Sequence, residues 1–469
     1  MTIELLYLAS AILFILGIRD LSSPVTARRG NLLASLGMFF AVVGTLIHHD
    51  ILKVASDQGV IQAYGWIVAG MALGGIIGAV MAHFMPMTAM PERIAIVNGL
   101  GGAASCLVGI AEYVRHAGEG LDAFTMGVIG FEVMLGALTF TGSMIAFAKL
   151  RGLIKGLFTF PLQNQVSILW VVVMLAIVSE LVLGFFGAQW QWMLFWILLA
   201  MAMIFGIMFV QPIGGADMPV VIAMLNAYSG LAVAATGFAL DNKVLIIAGS
   251  LDGASGLLLS ILMCRAMNRS IMNVLFGGVG QTVTMPAGEQ GEEGIPTEIT
   301  VTEAAGMLMN AQSVVIVPGY GMAAAGAHFA VRELADFLKD RGTTIKYAIH
   351  PVAGRMPGHM NVLLADANVP YDELIEMDDI NSDFPATDVA LVMGANDICN
   401  PAARNMEGSP IYGMPILDVD KARNVIVIKR SMSPGFAGIP NSLFVADNAY
   451  MLFGDGKKTT EKLVETLNM

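Results

Sequence analysis

The sequence predicts a polytopic, all-helical membrane domain followed by an α/β doubly wound domain. Two observations carry that prediction. Apolar stretches long enough to cross a bilayer, roughly 20 residues each, succeed one another up to about Arg265 and then stop. From about Glu298 strand and helix patterns alternate, and the first clear strand, Ser313–Val317, runs through Pro318 into Gly319-Tyr320-Gly321-Met322-Ala323-Ala324. A strand feeding G-x-G-x-x-A and then a helix is the Rossmann-like dinucleotide arrangement. Gly319 permits the tight turn, Gly321 lets backbone N–H groups approach a pyrophosphate, and Ala324 lets the helix close on the strand. The helix N-terminus presents N–H groups to the phosphates. Alone the pattern is weak; its place behind a strand in the polar third of the chain gives it weight.

Composition draws the same contrast. Of 469 residues 56% are hydrophobic and only 13% charged, against about 25% charged in an ordinary soluble domain. A net charge of −12 argues against nucleic acid as a partner, because neutralising phosphates needs a Lys/Arg-rich face. Cys106, Cys264 and Cys399 are far apart and read as reduced structural thiols, with no metal-ligand spacing. The 33 methionines read as packing material.

Nine spans are expected: Ile3–Ile18, Asn31–His48, Gln62–Phe84, Ile94–Val114, Ala123–Ala148, Val166–Phe186, Trp190–Val210, Met218–Leu240 and Val244–Cys264. The first lacks a basic n-region and an A-x-A cleavage site, so a retained helix is expected rather than a signal peptide. One set of alternate loops carries Arg19, Arg28, Arg29, Arg93, Lys149, Arg151, Lys155, Arg265 and Arg269, the other only Lys53, Arg115 and Lys243. The basic side faces the cytoplasm, which puts the N-terminus outside and the C-terminal domain inside. The expected division is a membrane domain at 1–265, a linker at 266–297 and a cytoplasmic domain at 298–469.

Small residues at Gly249, Gly253, Gly256 and Ser260 share one helix face; Asn226, Gly230, Val233 and Gly237 share another. Such faces let helix backbones approach closely, and tight packing alone accounts for the glycines. Polar residues inside spans are costlier. A charge at mid-bilayer costs at least about 2.5–3.5 kcal/mol, so Glu132 and Asp252 need a protein-facing or wet setting. Asn98 and Asn226 also want partners. Asn226 reads equally as interhelical glue or as part of a proton or water path.

Past Cys264 a segment rich in Gly and Glu, from Gly277 to Pro296, reads as a flexible linker. Strands are expected at Ser313–Val317, Ile345–Ile349, Asp388–Met393, Asn424–Lys429 and Ser442–Val445, and helices at Met322–Lys339, Met360–Ala367 and Thr459–Leu467. Ligands bind at the carboxyl ends of such strands. The loops there are Gly319–Ala324, His350–Arg355, Gly394–Asp397 and Lys429–Ser431. A carboxylate for a free ribose 2′-OH is expected about 20 residues after the glycines, but the second strand ends in His350-Pro351. Lys429-Arg430-Ser431 suits a 2′-phosphate, or is a solvated basic strand end. NADP is therefore favoured over NAD. His350 and His359 read equally as site groups or as loop histidines, and no catalytic residue is assigned.

Gly214-Gly-Ala-Asp217-Met-Pro, Met224-Leu-Asn226-Ala-Tyr-Ser-Gly230, Pro318-Gly-Tyr-Gly-Met-Ala323, the run from His350-Pro-Val-Ala-Gly-Arg355 through Leu364, Gly394-Ala-Asn-Asp397 and Lys429-Arg-Ser-Met432 together resemble the beta subunits of proton-translocating NAD(P) transhydrogenases, over essentially the whole chain. The resemblance implies an NADP(H)-binding, proton-conducting subunit of a bacterial-type inner-membrane enzyme. A separate alpha subunit holds NAD(H), a dimer of alpha–beta protomers is implied, and inward proton flow drives NADP reduction by NADH. It also implies a phosphate turn at Gly319, Tyr320, Gly321, Met322 and Ala323, and a 2′-phosphate site at Lys429, Arg430 and Ser431. Contacts or cover come from His350, Pro351, Val352, Ala353, Gly354, Arg355, Gly394, Ala395, Asn396, Asp397, Gly435, Phe436, Ala437, Gly438, Gly454 and Asp455. Asp217 and Asn226 fall on positions linked to coupling. Some members carry a His where this chain has Asn98, which does not titrate, and Asp252 stands where the better-known members are apolar. The family's alternative of a titrating His on the alpha subunit is favoured; His83 is a further candidate. The rival class is a transporter or channel gated by NADP, without chemistry of its own.

Overall fold

The computed structural model describes residues 2–468 apart from 24, 117–120, 155–160, 215–216, 277–293 and 436. Lys155, Phe436, positions 215–216 of the motif that begins at Gly214, and most of the Gly-rich linker segment therefore lie outside the described residues. Contacts divide the chain into two compact units, Met1–Pro212 with Ile222–Leu258, and Ile213–Val221 with Leu259–Met469.

Among the described residues nine helices have the length and composition to cross a membrane. They are Thr2–Leu21, Ala27–Leu46 (followed by the shorter His49–Gln58), Val60–Phe84, Met90–Arg115, Ala123–Leu150, Gln163–Leu183, Ala188–Val210, Met218–Ala239 and Lys243–Ala266. Their ends follow ordinary capping chemistry. Met90–Arg115 opens with a proline and Glu92 in its first turn and closes on Arg115, charges that complement the helix dipole. Asp122 caps Ala123–Leu150, accepting the N–H groups of Phe124 (3.1 Å) and Thr125 (3.2 Å).

The two small-residue faces expected from the sequence meet each other. A Cβ added at Gly230 would lie 2.8 Å from the Gly253 Cα, and one at Gly249 would lie 2.6 Å from the Gly230 carbonyl oxygen. Backbones of Met218–Ala239 and Lys243–Ala266 are thus in contact, which a side chain at either glycine would prevent.

The second unit holds a seven-stranded, all-parallel sheet. Its strands are β1 (Thr297–Glu298), β2 (Ser313–Pro318), β3 (Thr344–Ile349), β4 (Leu374–Glu376), β5 (Val389–Met393), β6 (Asn424–Lys429) and β7 (Ala449–Phe453). β2, β5 and β6 are near-continuous apolar runs buried on both faces, as parallel strands covered by helices must be. The spatial order is β1-β7-β6-β5-β2-β3-β4. From β2 onward this is the doubly wound order, with β1 added beside β7. The direction of winding reverses between β2 and β5, and there such sheets open a ligand crevice.

Two expectations are corrected. Ser442–Val445 is a 3-10 turn, not a strand. The Asn441 side chain accepts the Leu443 N–H at 3.0 Å and tightens the backbone, while β7 pairs with β6 in its place. The expected single helix Met322–Lys339 is two, Tyr320–Ala325 and His328–Asp340, separated where Gly326 adopts a left-handed φ of 61°.

Candidate functional site

Five loops at the carboxyl ends of β2, β3, β5, β6 and β7 surround a cavity of about 590 Å³. Its floor is made where the β2 and β5 loops touch. The Gly319 N–H bonds to the Met393 carbonyl (3.0 Å) and the Gly321 N–H to the Gly394 carbonyl (2.9 Å). A Cβ at Gly319 would lie 2.5 Å from the Ala395 Cα, and one at Gly321 2.6 Å from the Gly394 Cα. Gly394 itself has φ 65°, which L side chains rarely adopt. The close approach that Gly321 permits is therefore to the opposite loop, and its own N–H is spent there.

Among the residues expected at the site, Gly319, Tyr320, Gly321, Met322, Val352, Ala353, Gly354, Gly394, Ala395, Asn396, Asp397, Lys429, Arg430, Ser431, Gly435, Ala437, Gly454 and Asp455 line this cavity. Ala323, His350, Pro351, Arg355 and Gly438 are not in its lining. Ala323 is buried. Arg355 lays its guanidinium over the Tyr320 ring at 4.1 Å, bracing a residue that does line the cavity. Sequence reasoning missed Pro410, Ile411 and Met414, which supply an apolar wall. It also used Arg269 only as a loop charge, yet Arg269 lines the cavity.

The charged wall is uneven. The Lys429 amine donates to the Ser433 carbonyl and stands 4.7 Å over the Phe444 ring. Partial burial lowers its pKa, while the carboxylate of Asp397 pulls it back up. Arg430 is exposed and makes no hydrogen bond or ion pair among the described residues. Asp397 accepts the Ala437 N–H at 3.0 Å, tying the β5 loop to the loop after β6.

His350 and His359 support the β3 loop from beneath. His350 is 2% exposed; its Nε2 donates to the Pro415 carbonyl (2.9 Å) and its Nδ1 accepts the Val352 N–H (3.2 Å). His359, 1% exposed, accepts the Arg355 N–H at Nδ1 (3.0 Å). Burial lowers each pKa to about 4, helped in His359 by the Arg355 charge. Below about pH 6.5 the unfolded chain takes up protons that these folded sites refuse until about pH 4. Stability is therefore expected to fall with pH across that window, by up to about 3 kcal/mol per ring. Urea midpoints of the C-terminal domain should drop from pH 7 to about pH 4.5, and drop less in His359→Gln. Equal acid losses in the two proteins would refute this origin.

Asp217 pairs with Arg269 through both carboxylate oxygens, at 2.9 and 2.8 Å. Burial raises the Asp217 pKa and the guanidinium opposes that rise. Asn98, Glu132, Asn226 and Asp252 lie in the first unit. Asn98 donates to the Ser143 hydroxyl (3.1 Å) and accepts from Ser229 (2.9 Å). Ser229 also reaches the Asn226 carbonyl (2.8 Å), and the Asn226 amide donates to Asp252 Oδ1 (3.1 Å). Glu132, fully buried, accepts from Thr236 at 2.6 Å.

Membrane-length helices joined to a Rossmann-like sheet, with a glycine-floored cavity at its switch point, define a membrane protein built on a nucleotide-binding fold. The chain belongs to the NAD(P) transhydrogenase beta subunit family, whose model matches residues 3–466. It is similar to the NAD(P) transhydrogenase subunit beta of Rhodospirillum rubrum, 47% identical over 471 residues and covering 98% of each chain. The sequence under that name from one strain of the same species gives the same figures. Membership makes this chain a subunit of a multi-subunit membrane enzyme that uses nicotinamide nucleotides.

Proposed function

We propose that the chain is the NADP(H)-binding and proton-conducting subunit of the transhydrogenase. Its cavity takes NADP(H), a separate alpha subunit holds NAD(H), and hydride transfer between them is coupled to proton movement through the helices. In this reading residues 1–265 form the membrane domain, 266–297 the linker and 298–469 the nucleotide domain. The N-terminus lies outside a bacterial-type inner membrane and the nucleotide domain in the cytoplasm, in a dimer of alpha–beta protomers.

The observation that carries the cofactor assignment is the exposed guanidinium of Arg430, unpaired among the described residues, beside Lys429 and Ser431 on the cavity wall. Two cations and a hydroxyl at one strand end match the charge and acceptor set of a 2′-phosphate. The fit extends to the floor, where Gly319, Gly321 and Gly394 line the cavity without side chains because the β2 and β5 loops close on each other there. When bound, NADP(H) supplies the nicotinamide that exchanges hydride with NAD(H). This chain's residues bind and orient: Asp397 holds the loop after β6 through Ala437, while Ile411 and Met414 keep one wall apolar. Direct hydride exchange needs two rings at the right distance and angle and no acid–base group. Arg269, shared by the cavity lining and the Asp217 ion pair, supports a link between Asp217 and the nucleotide.

Calorimetry on the fragment from about Glu298 onward tests the assignment. NADP(H) should bind far more tightly than NAD(H), and Lys429→Ala/Arg430→Ala should erase most of the difference. Charge-assisted hydrogen bonds are worth about 1.5–3 kcal/mol each, so NADP affinity should fall about a hundredfold or more. Equal affinity of the wild-type fragment for NAD and NADP would sink it.

A further inference from the structure

The last membrane-length helix, Lys243–Ala266, ends in a turn that glycine usually makes. The Arg269 N–H bonds to the Cys264 carbonyl (2.9 Å) and the Asn268 N–H to the Arg265 carbonyl (3.0 Å). Asn268 stands at the left-handed corner, with φ 49°. Glycine is the usual residue there because a Cβ is strained in that conformation. What Asn268 adds is a side chain, and its amide donates to the Tyr412 carbonyl at 2.9 Å. Its neighbours Met267 and Arg269 line the cavity, whereas Asn268 does not. All of these residues from Cys264 onward lie in the second unit.

The receiving loop is shaped around this contact. Gly413 has φ 77°, and a Cβ added there would collide with the Asn268 amide. The Gly413 N–H bonds to the Ala403 carbonyl (2.8 Å) and the Met414 N–H to the Ile411 carbonyl (2.9 Å). The buried His350 holds the Pro415 carbonyl. Between the anchors at Tyr412 and Pro415 lies Met414, which with Pro410 and Ile411 makes the apolar wall of the cavity. Ile411 and Met414 also pack with Ala402, Ala403, Ile416 and Ile439, so the loop and the wall move together.

From this geometry we infer that Asn268 is a positioning residue for nucleotide binding: its amide fixes the 409–415 loop so that Ile411 and Met414 stand against the nucleotide. This role rests on the NADP(H) reading of the cavity. Asn268 acts through the loop and not on the nucleotide, so removing its amide keeps every lining residue but frees the wall. A neutral hydrogen bond shifts an equilibrium about two- to tenfold. Apparent affinity falls with the fraction of molecules whose wall is in place, so the Kd should rise by about that factor.

The test uses the full-length chain in detergent, with NADPH fluorescence reporting Kd and release rate. Asn268→Gly suits the left-handed turn better than the native residue, so the helix end persists and only the amide is lost. Its NADPH Kd should rise about two- to tenfold, with faster release. Hydrogen–deuterium exchange should show the amides of residues 409–415 losing protection in Asn268→Gly without bound nucleotide. A turn-forming role alone predicts wild-type affinity in Asn268→Gly, and that result overturns the inference. A raised Kd with unchanged exchange at 409–415 overturns it too, because the effect would then arise elsewhere. A wild-type chain that fails to bind NADPH is a separate result, which removes the NADP(H) reading and this role with it.

Discussion

Given NADH and an NADP analogue, the purified chain alone is expected to transfer no measurable hydride, and adding the NAD(H)-binding partner is expected to restore turnover. Direct exchange requires two nicotinamides held together, and effective molarities for well-oriented reactants carry about 7–11 kcal/mol of such a barrier. This sequence has one G-x-G-x-x-A turn that follows a strand, at Gly319. The similar spacing from Gly99 to Ala104 lies inside the long apolar helix Met90–Arg115, with no sheet to support a nucleotide. A single occupied cavity lacks the second ring, so the expected loss is essentially complete. Stopped-time absorbance assays on the chain with and without partner check it. Robust turnover by the chain alone would end the two-subunit reading; a proton flux that answers to NADP without any partner would favour a gated transporter.

Asn226→Leu is expected to depress proton pumping and coupled reverse transhydrogenation while leaving NADP binding measurable. The substitution removes the amide that donates to Asp252 at 3.1 Å and supplies nothing in return. Hydrogen bonds to charged groups are worth about 1.5–3 kcal/mol, which corresponds to about ten- to a hundredfold in rate if the contact acts in the limiting step. The Ser229 bond to the Asn226 carbonyl survives, because it belongs to the backbone, so the helix itself should persist. A packing role alone predicts a lower folded yield with normal pumping per folded molecule. Pumping normalised to folded protein separates the two, and unchanged coupling would rule out Asn226 as part of the path.

Much of the fold was legible because long apolar runs and β-branched strands are signals that few other structures produce. The nine helices and strands β2, β3, β5 and β6 follow from composition and period alone. β1 and β4 did not, being two and three residues long, too short for any period to register. β7 was hidden by its neighbour: Ser442–Val445 is apolar and short, and only the Asn441 cap reveals it as a turn. The helix Val301–Asn310 was readable after all, since Thr300 and Glu303 form a capping box. At the site, glycine spacing located the floor but not its partner, because nothing local to Gly321 announces contact with Gly394. His350 and His359 have the chemistry of site residues, and only burial distinguishes them as supports. Arg269 was visible as a charge; its dual contact depends on where Asp217 folds back, which no spacing encodes.

The two shortest strands have a further consequence. β1 and β4 are the edges of the sheet, so its exposed ladders run for two and three residues. Chains anchored in a bilayer are confined to two dimensions, where neighbouring copies meet far more often than in free solution. A long bare edge in that setting would recruit the next copy strand by strand and grow into aggregate. Edges this brief offer few backbone groups to template an incoming chain, and the exposed Glu298 and Glu376 add a charge to each.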